Sequence, residues 1–96
     1  MATTGTATLD FGAFPGASDA SVAITGQSGI VSGSLVEAWI RPEATADHSV
    51  DEHRVERLVV MANTIVAGVG FTIFGRYDGP GDALAYGLWT VAWVWN

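Results

Sequence analysis

Apolar and polar side chains alternate with a period of two along most of this 96-residue chain. Over residues 19–25, Val22 and Ile24 alternate with Ser21, Ala23 and Thr25. Over residues 35–41, Val36, Ala38 and Ile40 form one face, and Leu35, Glu37, Trp39 and Arg41 the other. Residues 55–61 set Leu58 and Val60 against Arg57, Val59 and Met61. Over residues 71–77, Phe71, Ile73 and Tyr77 share a face. Residues 84–95 place Trp89, Val91, Trp93 and Trp95 on one side and Leu88, Thr90, Ala92 and Val94 on the other. These runs are rich in β-branched and aromatic residues and predict strands. Residues 7–11 predict a further short strand near the N-terminus.

Turn chemistry separates the runs. Residues 12–16 (GAFPG) stop the first strand, because Pro15 cannot donate to a ladder. Residues 26–33 (GQSGIVSG) supply three glycines able to take positive φ. Residues 78–82 (DGPGD) predict a hairpin loop between the Phe71 strand and the last one. Gly68 and Gly70, flanking Val69, suggest a bulge ahead of Phe71. Residues 46–56 (ADHSVDEHRVE) break the alternation: Ser49 with Glu52 three positions on fits a capping box, and Asp51 and Glu52 suit a first helical turn. The expected fold is all-β, a single small antiparallel β-sandwich or jelly-roll-like barrel with one short helical turn near residues 49–54. One domain takes in residues 1–96, with residues 1–16 as first strand or extended N-terminal arm.

Composition narrows the function classes. Four arginines, no lysine and ten acids give a net charge of −6, which argues against binding nucleic acid through its phosphates. No apolar run reaches the ~18 residues of a membrane span, and residues 1–12 carry neither the basic start nor the apolar stretch of a signal peptide. With no cysteine there is no disulfide, thiolate metal site or cysteine nucleophile. Charged residues are 15% of the chain against about 25% in ordinary soluble proteins. Part of the surface must therefore be neutral or buried against another subunit. Nine of the fourteen charges lie between Glu37 and Arg57, and the first 34 residues carry only Asp10 and Asp19.

Candidate chemistry is sparse. Asp47, His48, Asp51, Glu52 and His53 include metal-ligand types. The histidines are five apart, however, which on a helix turns them about 140° from each other. A solvated capped turn, its carboxylates paired with Arg54 and Arg57, explains the segment better. Glu37 shares a strand face with Trp39 and Arg41, and pairing with an Arg there explains it more simply than acid catalysis. Ser49 beside His48 lacks the G-x-S-x-G elbow of a hydrolase. Gly68-Val-Gly70 is not a dinucleotide loop, and Asp78 and Asp82 do not match a calcium loop. No enzyme signature, metal site or cofactor is expected.

The C-terminal stripe of Trp89, Val91, Trp93 and Trp95 is the strongest single feature. Exposed, its indoles would form a glycan platform. Because both faces of the strand are apolar, core or subunit contact is the favoured expectation. Trp89, Trp93 and Trp95, with Phe11 and Phe14, are the interface or glycan-platform candidates.

Several stretches together resemble a group of small proteins from tailed-bacteriophage and prophage genomes. They are residues 4–16 (TGTATLDFGAFPG), 20–26 (ASVAITG), 34–40 (SLVEAWI), 46–53 (ADHSVDEH), 66–74 (VAGVGFTIF) and 86–96 (YGLWTVAWVWN). The resemblance covers most of the chain and brings no catalytic motif. It implies a small virion component that decorates the capsid, joins head to tail, or belongs to a tail or fibre assembly. Its implied place is the virion, after assembly in the bacterial cytoplasm. Implied partners are its own copies in a symmetric homo-oligomer and the major capsid or other virion proteins, with no nucleic acid or membrane, and glycan as the partner of a tail-associated module.

Overall fold

A computed structural model describes residues 2–79 and 84–96. Six strands and one short helix follow the order β1 (Thr3–Asp10), β2 (Asp19–Ile24), β3 (Val36–Ile40), α1 (Val50–Val55), β4 (Leu58–Val66), β5 (Gly70–Tyr77) and β6 (Leu88–Trp95). They form two antiparallel three-stranded sheets, β1-β6-β3 and β2-β5-β4. The expected all-β fold is what the chain adopts. Its accessible surface is 5515 Å², near the roughly 5,200 Å² that its mass predicts.

Alternation decides which side chains face inward. Register pairs Gly5 with Trp93, Ala7 with Val91 and Leu9 with Trp89 on one sheet. On the other it pairs Val22 with Ile73, and Ile73 with Ala62. Paired residues share a face, so Leu9, Trp89, Val91 and Trp93 meet Phe71 and Ile73 in one core. Phe71 and Trp93 touch edge to face across the two sheets, ring centroids 5.4 Å apart. Two glycines make room for this packing. The Trp93 indole lies where a side chain on Gly5 would project, and Leu9 occupies that place above Gly75.

Several details depart from the sequence pattern. The first strand extends back to Thr3, and β4 is displaced to Leu58–Val66 because α1 consumes residues 50–55. β5 and β6 do not form the expected hairpin: β5 lies between β2 and β4 while β6 lies between β1 and β3. Both are central strands with both edges taken, so they cannot pair with each other; Pro80, Gly81 and Asp82 lie outside the described residues. The bulge sits on β4, between Asn63 and Val66, where Thr64 takes φ 59°, rather than at the glycines flanking Val69. Of the glycines in residues 26–33, only Gly26 has positive φ. Their loop delivers Ile30, 1% exposed, into the core.

Replacing Gly75 with valine should force Leu9 aside and lower the unfolding free energy by about 1–3 kcal/mol. Urea denaturation followed by tryptophan fluorescence measures it, with an unchanged midpoint as the contrary result.

Candidate functional site

The polar side chains of residues 43–53 converge on β6. Past the end of β3, the β3–β6 ladder ends with Arg41 N–H donating to Thr90 O at 3.0 Å. Beyond it, side chains replace the missing strand. The Thr90 backbone N–H donates to His53 Nε2 at 3.0 Å, and the Thr90 hydroxyl donates to Glu43 O at 2.9 Å. Leu88 N–H donates to Asp47 Oδ2 at 2.8 Å, while the Thr45 hydroxyl donates to Leu88 O at 2.8 Å. An unpaired backbone group costs its desolvation where it is buried, as at Thr90 N–H; three of these contacts satisfy backbone groups of β6, and the fourth satisfies the Thr90 hydroxyl.

Helix α1 exists to place His53. Ser49 is its N-cap: the hydroxyl accepts from Glu52 N–H at 3.2 Å, and Glu52 Oε1 accepts from Ser49 N–H at 2.9 Å. The expected capping box is present. Val50 and Val55 are exposed, and the helix turns His53 inward instead. His53 Nδ1 lies 2.7 Å from Ser49 O and must donate to it, leaving Nε2 as the acceptor for Thr90 N–H. Hydrogen-bond accounting thus assigns His53 as the neutral Nδ1–H tautomer.

His48 meets a different pair of partners. Its Nδ1 lies 2.8 Å from Glu52 Oε2 and its Nε2 contacts Tyr86 O at 2.6 Å, both acceptors. One ring nitrogen thus pairs with the Glu52 carboxylate and the other with a backbone carbonyl. Its ring stacks on the Trp89 indole, centroids 3.7 Å apart and planes 17° from parallel. Trp89 Nε1 donates to the same Tyr86 carbonyl at 3.1 Å. The hydrogen bond from His48, and then the bond from Ser49 N–H, hold the Glu52 carboxyl below the usual carboxylate range.

This corrects the reading of the segment as a solvated turn. Asp51 does pair with Arg54, at 3.2 Å on the surface, but both histidines are buried. Their rings come within 6.5 Å because His48 precedes the N-cap, so helical spacing does not govern the pair. Among the described residues no group of three or more His, Asp or Glu side chains is placed to hold a metal ion. Ser49 is committed to the helix cap. Arg41 bonds Glu43 at 2.9 Å instead of Glu37. Four positions along a strand separate Glu37 from Arg41 by about 13 Å, too far for a direct pair.

The aromatic candidates divide. Phe11, Trp89 and Trp93 are core residues, and Trp95 packs partly buried against them with its Nε1 donating to Gln27 Oε1 at 2.9 Å. The stripe is therefore not a platform for sugar: its face is the one that closes on the opposite sheet. Phe14 alone of the five is out in solvent, edge to face with Tyr86 at 5.4 Å. Those two rings, with Asp10 and Asp47, border a groove of about 440 Å³. A second shallow groove, about 430 Å³, lies on the outer face of β2-β5-β4, with Val59, Met61 and Phe74 at its centre and Asp19 and Arg76 at its rim.

Sequence reasoning missed the role of His53 and the exposed apolar groove. The one legible signal for His53 was the capping box, which fixes where the helix starts and so which residue points inward. The groove left a trace in the alternation of residues 55–61, where both faces are apolar. No family model, curated protein or solved structure matches the chain.

His53→Ala should orphan the Thr90 N–H and cost about 1–3 kcal/mol for that donor alone. The exposed Val55→Ala should stay within about 0.5 kcal/mol; equal losses in chemical denaturation would contradict the assignment. Because folding lowers the Glu52 value, its stabilisation is present above the usual carboxylate range and is lost as pH falls through the folded-state value. Glu52→Gln should therefore lower the melting temperature at pH 7 and flatten its fall toward pH 3; parallel curves for the two proteins would refute this.

Proposed function

We propose that this chain is a non-enzymatic structural protein of a bacteriophage virion, a capsid decoration or cement protein that acts by symmetric contact between subunits. The carrying observation is how its side chains are divided. The histidines, Asp47 and Glu52 are spent on holding β6, while the outward faces of the strands are mostly neutral or apolar, with Asp10, Asp19, Glu37 and Arg76 as their charges. On β1 the outward residues include Thr4, Thr6 and Thr8; on β4 and β5 they include Val59, Met61 and Phe74. Such surfaces suit contact area repeated over many copies. The low charge density and the resemblance to tailed-phage proteins support the same reading. Its partners are its own copies and the major capsid protein, it needs no cofactor, and its place is the virion. The tail- or fibre-associated alternative, built on a glycan platform of indoles, loses that platform through the burial of Trp89 and Trp93.

Purified protein added to phage particles lacking it should bind the shell in a symmetry-related copy number and raise the temperature at which the shell opens. Particles without it that keep full thermal stability and infectivity would count against the proposal.

A further inference from the structure

The four edge strands of the two sheets are not alike. β3 is five residues long, carries Glu37 and runs into Arg41 and Pro42. β4 is broken by its bulge at Asn63–Val66, and β2 opens on Asp19. Charge, proline, shortness and bulges are the devices that keep a sheet edge from pairing with another chain. β1 has neither proline nor bulge, and its one charge, Asp10, stands at its last residue. It is eight residues long, uncharged from Thr3 to Leu9, and in unbroken register with β6 from Thr3↔Trp95 to Asp10↔Leu88.

The direction of its free hydrogen-bonding groups follows from the ladder. Phe11 N–H donates to Gly87 O, two positions on from the Leu9↔Trp89 pair. Rungs alternate in an antiparallel ladder, so the odd residues of β1 bond β6. Thr4, Thr6 and Thr8 therefore aim their N–H and C=O groups at the open edge. Among the described residues, no backbone group of Thr3–Leu9 bonds anything other than β6.

We infer that β1 is a pairing edge for β1 of a second copy of this chain, joining two three-stranded sheets into one of six strands about a two-fold axis at Thr6. The inference rests on the assembly reading above and names the surface through which copies meet. Antiparallel pairing centred on Thr6 places Thr4 opposite Thr8, Gly5 opposite Ala7 and Thr3 opposite Leu9. Every rung is neutral, and the nearest charge, Asp10, falls opposite Ala2 of the other copy. For a chain of net charge −6 this is a long edge where two copies meet without setting acid against acid. On the outer face the three threonines of each copy form a cross-strand ladder, and threonine pairs favour such a position. The symmetry is that of an isologous contact, in which the same residues serve both sides.

The test uses the full chain and two substitutions on the exposed outer face, Thr6→Lys and Thr6→Glu. Wild-type protein should show an even number of chains by light scattering. Each variant alone should fall to half that mass with its melting temperature and circular dichroism unchanged, since like charges then meet at the axis. Mixing the two variants should restore the wild-type mass, because Lys faces Glu in the mixed pair. A wild-type chain that stays monomeric at high concentration, variants that keep the wild-type mass, or a mixture that stays at half mass would each overturn the pairing. Shell binding by monomeric Thr6→Lys, measured separately, would leave the virion reading standing while the pairing edge failed.

Discussion

Everything in this fold leans on satisfying the backbone of β6. The strand runs through the middle of its sheet with Trp89, Val91 and Trp93 buried, so the amides of its buried middle have no water to fall back on. β1 bonds one edge along its whole length. β3 bonds the other only as far as Val91, with one more bond at Thr90. The remaining stretch is served by Thr45, Asp47 and His53, whose side chains act as the rungs of a strand that is not there. A chain of this size has few residues for an extra strand, and a clasp of side chains completes the edge with one helical turn.

The clasp also explains why two buried histidines are tolerated. Burying a polar ring is costly unless each nitrogen finds a partner. His53 does so as a neutral ring between Ser49 O and Thr90 N–H. His48 does so between Glu52 and Tyr86 O, with the Trp89 face beneath it. The partners of the two rings differ, one set offering a donor and an acceptor, the other two acceptors. The metal-ligand residue types of this segment are consumed in structure, His53 and Asp47 on β6 and Glu52 on His48 and the helix cap.

Much of the fold was legible because a strand's side-chain period depends only on local geometry. Val36, Ala38 and Ile40 share the inward face of β3, as alternation required, and the capping box of Ser49 and Glu52 marked the helix start from four residues. Turn residues likewise ended β1 before Gly12. These are short-range constraints, and short-range sequence specifies them.

Tertiary structure decided what local pattern cannot encode. Which sheet each strand joins depends on partners far along the chain, so β5 and β6 part company although a turn motif sits between them. The burial of His48 and His53 follows from how far β3 reaches along β6, a fact that resides in neither residue's neighbourhood. The indole stripe looked the same whether it faced solvent or core; only the approach of Phe71 and Ile73 from the opposite sheet made it core. The sequence by itself determined the alternation, the cap and the turns because each is set within a few bonds. The closing of one sheet on the other, and with it the difference between a binding face and an interior, is a long-range packing choice that only the folded chain makes.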